Sequence, residues 1–597
     1  MKLSDYIIRF MESKDVKDVF LLSGGGIMHI LDSLVQSESI SRYHNLHEQA
    51  SGFCADGYSI YSGKPGICII TTGPGATNAV TAAASSYIDS TPVIYISGQV
   101  RTDTISKIPG VRQTGAQEVD IVSIVKPITK YAVTVMKPEE IRFHLEKAFF
   151  LAQHERPGPV WLDIPLDVQS AQIEAENLKE FSPTEKGFKS CAGISAKDEA
   201  EIISLLNKSK RPVLMIGSGV RLAHSEEQLL KLVRKWNIPV VSSRRVRGIL
   251  KNEDEKYYFG CVGSNPDRYA NYILQNSDFM LSVGSGLRYY ITAYNESNFA
   301  PKAKKIIVNV DNAELEKLNM LGALKIKCDA KLFLEAMLNN QDFIFRGRSW
   351  WWDYCSLMKR KYPAVDEYKP MNTNAVNPYK VADYIGLQMG ENDVLVTSPS
   401  AFAYAFSIPQ IRARQKVVSH IGLGSMGTAL PEAIGAAVAA KARTIVCEGD
   451  GSLQHNIQEL SLLKQYNLPV ILFVDSNKGY RQILTMQDAH FSGRHAGCTE
   501  ESGISFPDLE LIAQAYGLRY LRIENAANAE EIVKKSLSDN EPKIVEIVTG
   551  MDIEYLPVMK SKMNADGKMQ TPSLELLFPF LPEEEHFENM KISEEQQ

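Results

Sequence analysis

Two strand-like runs in the last third of the chain end in side chains that bind through oxygen. The apolar run RTIVC (443–447) delivers Gly449-Asp450-Gly451-Ser452 just ahead of a helical stretch, and VILFVDS (470–476) is followed by Asn477. Glycines allow close backbone approach, and free N–H groups at a helix start favour an anionic oxygen. Asp450 would repel a bare phosphate unless a cation lay between them. A carboxylate, the Asn477 amide oxygen, a nearby backbone carbonyl and two phosphate oxygens make a Mg²⁺ shell at about 2.0–2.1 Å, usually completed by water. A GDG alone also makes an ordinary turn. GDG, 25 residues and then Asn, with helix and strand correctly interleaved, reads as a metal-bridged diphosphate site.

Other candidates lie in the first and third parts of the chain. His47-Glu48 alone would be a solvated helix start, and HEQAS lacks the second histidine of a zinc protease motif. Gly24-Gly25-Gly26 and Gly73-Pro74-Gly75, with Asn78 close behind, would be plain turns in isolation. Met426, in IGLGSMG, has the ordinary reading of core filler.

These residues must be positioned by a large α/β protein. At 597 residues the chain exceeds one core, and typical domain sizes suggest three or four units. Short β-rich runs alternate with helical stretches in three blocks, the grammar of parallel sheets covered by helices on both faces. The expected class is α/β with three doubly wound parallel-sheet domains. Boundaries are expected at 1–172, 195–345 and 375–550, with polar linkers at 173–194 and 346–374 and an irregular tail at 551–597. In such sheets ligands bind beyond the carboxyl ends of the strands, where the motifs fall.

Bulk properties exclude several classes. A net charge of −6 without a basic cluster gives no footprint for nucleic acid. No run approaches ~18 uninterrupted apolar residues, so no membrane span is expected. The eight cysteines are scattered without a C-x-x-C pair, which points to reduced thiols and a cytoplasmic address. The first residues, MKLSDYIIRFMESKD, have helical i, i+3, i+4 spacing at Leu3, Tyr6, Ile7, Phe10 and Met11 and do not read as a signal peptide.

The GDG…N stretch resembles the diphosphate motif of thiamine diphosphate (ThDP) enzymes, and LHEQASGFCADGY through VIYISGQV resembles the pyrimidine-binding domain of acetolactate synthases. From about residue 1 to 550 the chain resembles a large-subunit acetolactate synthase-type enzyme. That resemblance implies ThDP and Mg²⁺, with Asp450, Asn477 and the Gly479 carbonyl as metal ligands and Gly449, Gly451 and Ser452 around the diphosphate. Glu48 would hydrogen-bond N1′ of the aminopyrimidine, so that the 4′-nitrogen can take the thiazolium C2 proton. Gly73, Pro74 and Asn78 would shape the pyrimidine pocket. Gln117 would face the active centre and Gly25 would lie near the reacting carbon. The Gly424 carbonyl would accept from the 4′-amino group, and Met426 would support the bent coenzyme. A homodimer or homotetramer with the site between subunits is implied as well.

Three departures stand out. Where acetolactate synthases carry a tryptophan that selects the second 2-ketoacid, Met486 falls near the place. Ala116 replaces a phenylalanine before Gln117, and Leu166 replaces a lysine. The donor chemistry therefore looks intact and the acceptor pocket rebuilt. The expected activity is decarboxylation of a 2-ketoacid, pyruvate first, and transfer of the two-carbon unit to a carbonyl acceptor such as a nucleotide-bound keto sugar. The alternatives are acetolactate synthesis from two pyruvates and a non-catalytic ThDP-fold binding protein. GSGVR (217–221) and GSGL (284–287) are compatible with the ADP half of FAD and equally with plain strand turns.

Overall fold

The computed structural model describes the chain except residues 186, 189–190, 321, 345–347, 370–371, 373, 398–402, 406–408, 564–565, 568 and 592–597. Three six-stranded sheets, parallel throughout, organise it. The first contains β1 (Asp18–Leu21), β2 (Ser41–His44), β3 (Gly66–Ile70), β4 (Val93–Gln99), β5 (Tyr131–Thr134) and β6 (Val160–Pro165). The second contains β7 (Pro212–Ile216), β8 (Val240–Ser242), β9 (Tyr258–Cys261), β10 (Phe279–Val283), β11 (Lys304–Asn309) and β12 (Leu324–Lys327). The third contains β13 (Val394–Thr397), β14 (Lys416–Ser419), β15 (Thr444–Gly449), β16 (Val470–Ser476), β17 (Arg519–Ile523) and β18 (Lys543–Val548).

The first and third sheets share one topology, β2-β1-β3-β4-β6-β5 and β14-β13-β15-β16-β18-β17, whereas the middle sheet runs β9-β8-β7-β10-β11-β12. The middle order is that of a dinucleotide-type fold, with its switch point between β7 and β10. Central strands such as GICII and PVLMI are buried along their whole length, as expected where helices cover both faces.

The first and third units share a single core that runs from Phe20, Tyr95 and Trp161 to Val446, Leu472 and Ile544. It closes where helix Glu48–Ser62 lies on helix Ala429–Ala440. A Cβ on Gly57 would stand 2.2 Å from the Glu432 carbonyl oxygen, and one on Gly435 would stand 1.9 Å from that of Cys54, so each helix needs glycine at the crossing. Asp89 fastens all three units: Arg245 and Arg288 from the middle unit and His420 from the third lie 3.0–3.4 Å from its buried carboxylate. Burial opposes its ionisation, but these neighbours, Arg245 foremost, hold it well below the usual carboxylate range.

Two expectations need correction. Residues 346–374 are not simply a polar linker, because helix Ser349–Lys361 inserts Trp351, Cys355 and Met358 into the core of the middle unit. The tail is not irregular throughout either. It forms a two-stranded ribbon (Lys562–Met563 with Met569–Gln570) and helix Glu583–Met590. That helix docks on the middle unit through Glu585 to the Tyr362 hydroxyl (2.6 Å) and Asn589 to Tyr362 and Tyr354. Its acidic residues hid an amphipathic face whose partners are tyrosines far away in sequence. The amino-terminal helix forms at Leu3–Ser13 with Leu3, Ile7, Phe10 and Met11 buried. All eight cysteines are free. Among the described residues, no helix is long and apolar enough to cross a membrane.

Candidate functional site

Two groups of candidate residues form, one at the carboxyl end of the first sheet and one at the carboxyl end of the third. In the first group Glu48 opens helix Glu48–Ser62 behind the N-cap His47, whose Nδ1 accepts the Gln49 N–H at 3.2 Å. The Glu48 side chain is buried, and its Oε2 accepts from Asn78 Nδ2 at 3.0 Å. The Gly73-Pro74-Gly75 turn, which starts helix Pro74–Asn78, supplies the space: a Cβ on Gly75 would sit 3.1 Å from Glu48 Oε1.

Gly73 has φ +61°, and a side chain there would strike the Gln117 carbonyl at 2.3 Å. Gln117 itself has φ +68° and is exposed, so its loop turns sharply against the glycine turn. Gly24 and Gly26 pack against Thr71 and Thr72 at the end of β3, while Gly25 between them faces open space. Gly25, Glu48, Gly73, Pro74, Asn78 and Gln117 therefore surround one strand-end region.

The second group is built around Asp450. Strand β15 runs through Gly449, and a single helical turn, Asp450–Leu453, starts at the aspartate itself, earlier than its sequence suggests. Asp450 is 3 % exposed. Its Oδ2 accepts the Lys478 N–H at 2.6 Å and its Oδ1 the Gly451 N–H at 2.7 Å. Burial pushes this carboxyl up to about 7 despite those donors. A buried carboxylate without a compensating cation is costly, and a divalent ion beside it would relieve that cost.

Asn477 reaches the same place from β16, its Oδ1 accepting the Gly479 N–H at 3.1 Å. Space for a ligand is built in. Nothing lies within 4 Å of a Cβ on Gly449, whereas a Cβ on Gly451 would stand 2.4 Å from the Tyr480 ring. The donor set (one carboxylate, one amide oxygen, backbone carbonyls, no thiol or imidazole) fits a hard cation such as Mg²⁺.

Gly424 and Met426 belong to this second group. The Gly427 N–H donates to Ser452 Oγ at 2.9 Å, Ser452 Oγ donates to Glu448 Oε1 at 2.8 Å, and Asn456 Nδ2 donates to the Gly427 carbonyl at 2.7 Å. The Ser452 hydroxyl is thus committed to tethering the 424–427 loop to the GDG turn. Among the described residues no hydrogen bond ends on the Gly424 carbonyl, and the glycine has φ +73°. Met426 is 38 % exposed, not core filler.

Sequence reasoning missed the struts between the groups. Glu459 accepts from Asn45 Nδ2 (2.9 Å) and the Leu46 N–H (3.0 Å), and Asn456 Nδ2 donates to Gln49 Oε1 at 3.0 Å. These residues hold the start of the Glu48 helix on the segment that follows Asp450, and no local spacing announces pairs more than 400 positions apart. Glu118 was also missed: it gathers the N–H groups of Ser106, Thr114 and Gly115 and so shapes the loop bearing Gln117. An acid next to a glycine turn was the available signal.

In the middle sheet the two GSG turns pack on each other: a Cβ on Gly219 would stand 2.6 Å from Gly284 Cα. The crevice there holds about 110 Å³, and Arg156 on its wall is paired with Asp311 and Glu314. The glycines are accounted for without a flavin, and the residues present do not single one out.

Family models match the chain in three places: thiamine pyrophosphate enzyme, N-terminal TPP binding domain, at residues 1–124; the central domain at 200–337; and the C-terminal TPP binding domain at 397–547. Among curated proteins, "Probable acetolactate synthase large subunit" of Methanococcus aeolicus is 31% identical over 571 residues, 92% of each chain. The protein of the same name from Methanocaldococcus jannaschii is 31% identical over 584 residues, 94% of this chain and 93% of its own. "Acetolactate synthase, chloroplastic" of Arabidopsis thaliana is 31% identical over 571 residues, 94% of this chain and 83% of its own.

Proposed function

The chain belongs to the thiamine pyrophosphate enzyme family and is a ThDP-dependent enzyme of the acetolactate synthase type, and from that premise we propose that it is a Mg²⁺-dependent carboligase acting on pyruvate. When bound, the coenzyme supplies a carbon nucleophile that accepts the ketoacid and stabilises the charge left by CO₂. The remaining work falls to residues of this chain.

Asp450, Asn477 and the Gly479 carbonyl would hold the metal, Gly449 would leave room for the diphosphate, and Gly451 would let the Tyr480 ring close beside it. Glu48, with Oε2 fixed by Asn78, would keep Oε1 for N1′ of the aminopyrimidine. The Gly424 carbonyl would accept from the amino group, and Met426 would brace the ring. Gln117 and Gly25 would border the reacting carbon. Pro74 and Gly73 fix the turn that closes on Glu48. Ser452 serves the diphosphate indirectly, by holding the 424–427 loop. The observation that carries this reading is the convergence of Asp450 and Asn477 on the Lys478–Gly479 backbone, with the Asp450 carboxylate buried.

The domain reading is a pyrimidine unit at 1–172, a middle unit at 195–345 extended by the helix at 349–361, and a diphosphate unit at 375–550. FAD is not part of the proposed cofactor set. We place two copies around a shared site, since Met28, Leu46, Leu423 and Met426 are exposed apolar side chains near both residue groups. The unpaired thiols support a cytoplasmic protein.

For the acceptor we favour a carbonyl compound other than a second pyruvate, with a nucleotide-bound keto sugar as the leading class. Met486, 59 % exposed on a helix with no buried residue, provides no tryptophan wall for a small ketoacid. Acetolactate formation from two pyruvates is the second reading, favoured by the names of the relatives. Purified protein given pyruvate alone separates them. Rapid acetolactate formation supports the second reading, and CO₂ release that depends on an added keto sugar supports the first. Absence of CO₂ release under both conditions would leave only a non-catalytic binding protein.

A further inference from the structure

A cavity of about 280 Å³ lies between the middle and third units. By the same measure a single water needs only about 10–15 Å³. Gly424 and Gln482 contribute from the third unit, and Arg244, Asn265 and Tyr290 from the middle one. Gln482 follows Asn477 by five positions, on the first turn of helix Arg481–Phe491. The cavity therefore opens beside the residues assigned above to the coenzyme.

Arg244 sits in the turn after β8. Its guanidinium lies over the Tyr404 ring, 4.5 Å from the centroid, and donates to the Asn265 carbonyl. The neighbouring arginines have carboxylate partners: Arg245 and Arg288 share Asp89, and Arg156 pairs with Asp311 and Glu314. Among the described residues Arg244 has no carboxylate within ion-pair distance. A ring face and one carbonyl orient its charge, which the buried Asp267 also feels from beyond ion-pair distance. A planar cation held in that way, with further N–H groups available, suits two-point recognition of an oxyanion.

The crevice at the middle sheet's switch point shares Arg244, Tyr290, Ile291 and Ile421 with this cavity. Arg244 therefore stands on the walls of both spaces.

Resting on the carboligase reading, we propose that this cavity is the acceptor subsite and that Arg244 receives an oxyanion, phosphate or carboxylate, carried by the carbonyl acceptor. After CO₂ has left the donor, the two-carbon unit forms a carbon–carbon bond to the acceptor's carbonyl carbon. The electron pair of that C=O moves to its oxygen, which takes up a proton. Gln482, on the same wall as Gly424, is a neutral group within the cavity that can hydrogen-bond the acceptor. Anchoring the anion at Arg244 turns the carbonyl toward Gly424 and sends the remainder of the acceptor into the crevice.

The test uses the ThDP- and Mg²⁺-loaded protein and its Arg244→Gln and Arg244→Lys variants, with coenzyme loading measured in each. Calorimetric titrations with inorganic phosphate and with acetate probe the two oxyanion sources. Binding of either probe that weakens at least tenfold in R244Q and recovers in part in R244K supports the proposal. Preference for phosphate assigns a phosphorylated or nucleotidyl acceptor, and preference for acetate assigns a second ketoacid. Equal affinity in wild type and R244Q, or no binding of either probe to wild type, overturns it. A matching rise in KM for the acceptor, with kcat less affected, is the kinetic counterpart. Failure of the wild-type protein to release CO₂ from pyruvate would count against the carboligase reading, whereas an active enzyme whose acceptor KM ignores R244Q would count against the subsite alone.

Discussion

The Asp450 carboxylate accepts the Lys478 N–H at 2.6 Å, so the group assigned to the metal also ties the end of β15 to the end of β16. One side chain thereby fixes the distance between the two loops that must share a cation. Asp450→Asn keeps a carbonyl for that N–H and removes the charge. We expect Mg²⁺-dependent ThDP binding to fall at least a hundredfold, about 3 kcal/mol, the scale of breaking a buried charge pair. Equilibrium dialysis with and without chelator reads the change. Retained Mg²⁺-dependent binding would remove Asp450 from the metal shell.

The same carboxyl predicts a pH dependence. Burial raises Asp450 to about 7 in the folded apoprotein, against about 3.8 for the free group. The folded state therefore holds the proton more tightly, and apoprotein stability falls as pH rises through the window from about 4 to 7. A cation must displace that proton, so Mg²⁺–ThDP affinity should rise up to about tenfold per pH unit below 7 and level off above it. Titrations from pH 5.5 to 8.5 test this, and a flat profile would contradict it.

The helix crossing tolerates no side chain at its centre. Gly435→Ala would put a methyl 1.9 Å from the Cys54 carbonyl and force the two helices apart. A loss of about 1–3 kcal/mol is expected, the usual scale of overpacking. Denaturant unfolding measures it, and an unchanged midpoint would show that the helices can separate freely.

Removing residues 583–597 uncovers Tyr272, Tyr354 and Tyr362, which the tail helix meets through His586, Asn589 and Glu585. Tm should drop by several degrees, roughly 2–4 °C per kcal/mol lost in a unit of this size. ThDP occupancy should persist, because that helix docks on the middle unit. Loss of coenzyme with an unchanged Tm would instead make the tail part of the site.

Much of this was legible in the sequence because the motifs sit where strands turn into helices. Continuous apolar runs marked β3, β7 and β16, and the oxygen-bearing residues just after them marked the sheet ends. Motif resemblance put Glu48 and Asn78 at one pocket, but their hydrogen bond was not legible, since 30 positions separate the two and no periodicity links them. Tertiary partners escaped. Ser452 looked like a diphosphate ligand, but its hydroxyl is spent on Glu448 and Gly427. The tail looked irregular because the tyrosines that receive its helix lie more than 200 residues upstream. The Trp350–Trp352 run looked like a linker because its apolar partners belong to the middle sheet's core.

The central claim is that Glu48, buried and held by Asn78, switches on a coenzyme that Asp450 and Asn477 anchor. Glu48→Gln preserves size and can still accept from Asn78, but it cannot carry the carboxylate's charge. Turnover of pyruvate by fully loaded protein, with bound ThDP quantified in the same samples, tests the claim directly. The account predicts near-normal ThDP occupancy and CO₂ release reduced about 10²- to 10⁴-fold, the range of a lost acid–base group. Wild-type CO₂ release from E48Q at equal occupancy would contradict it.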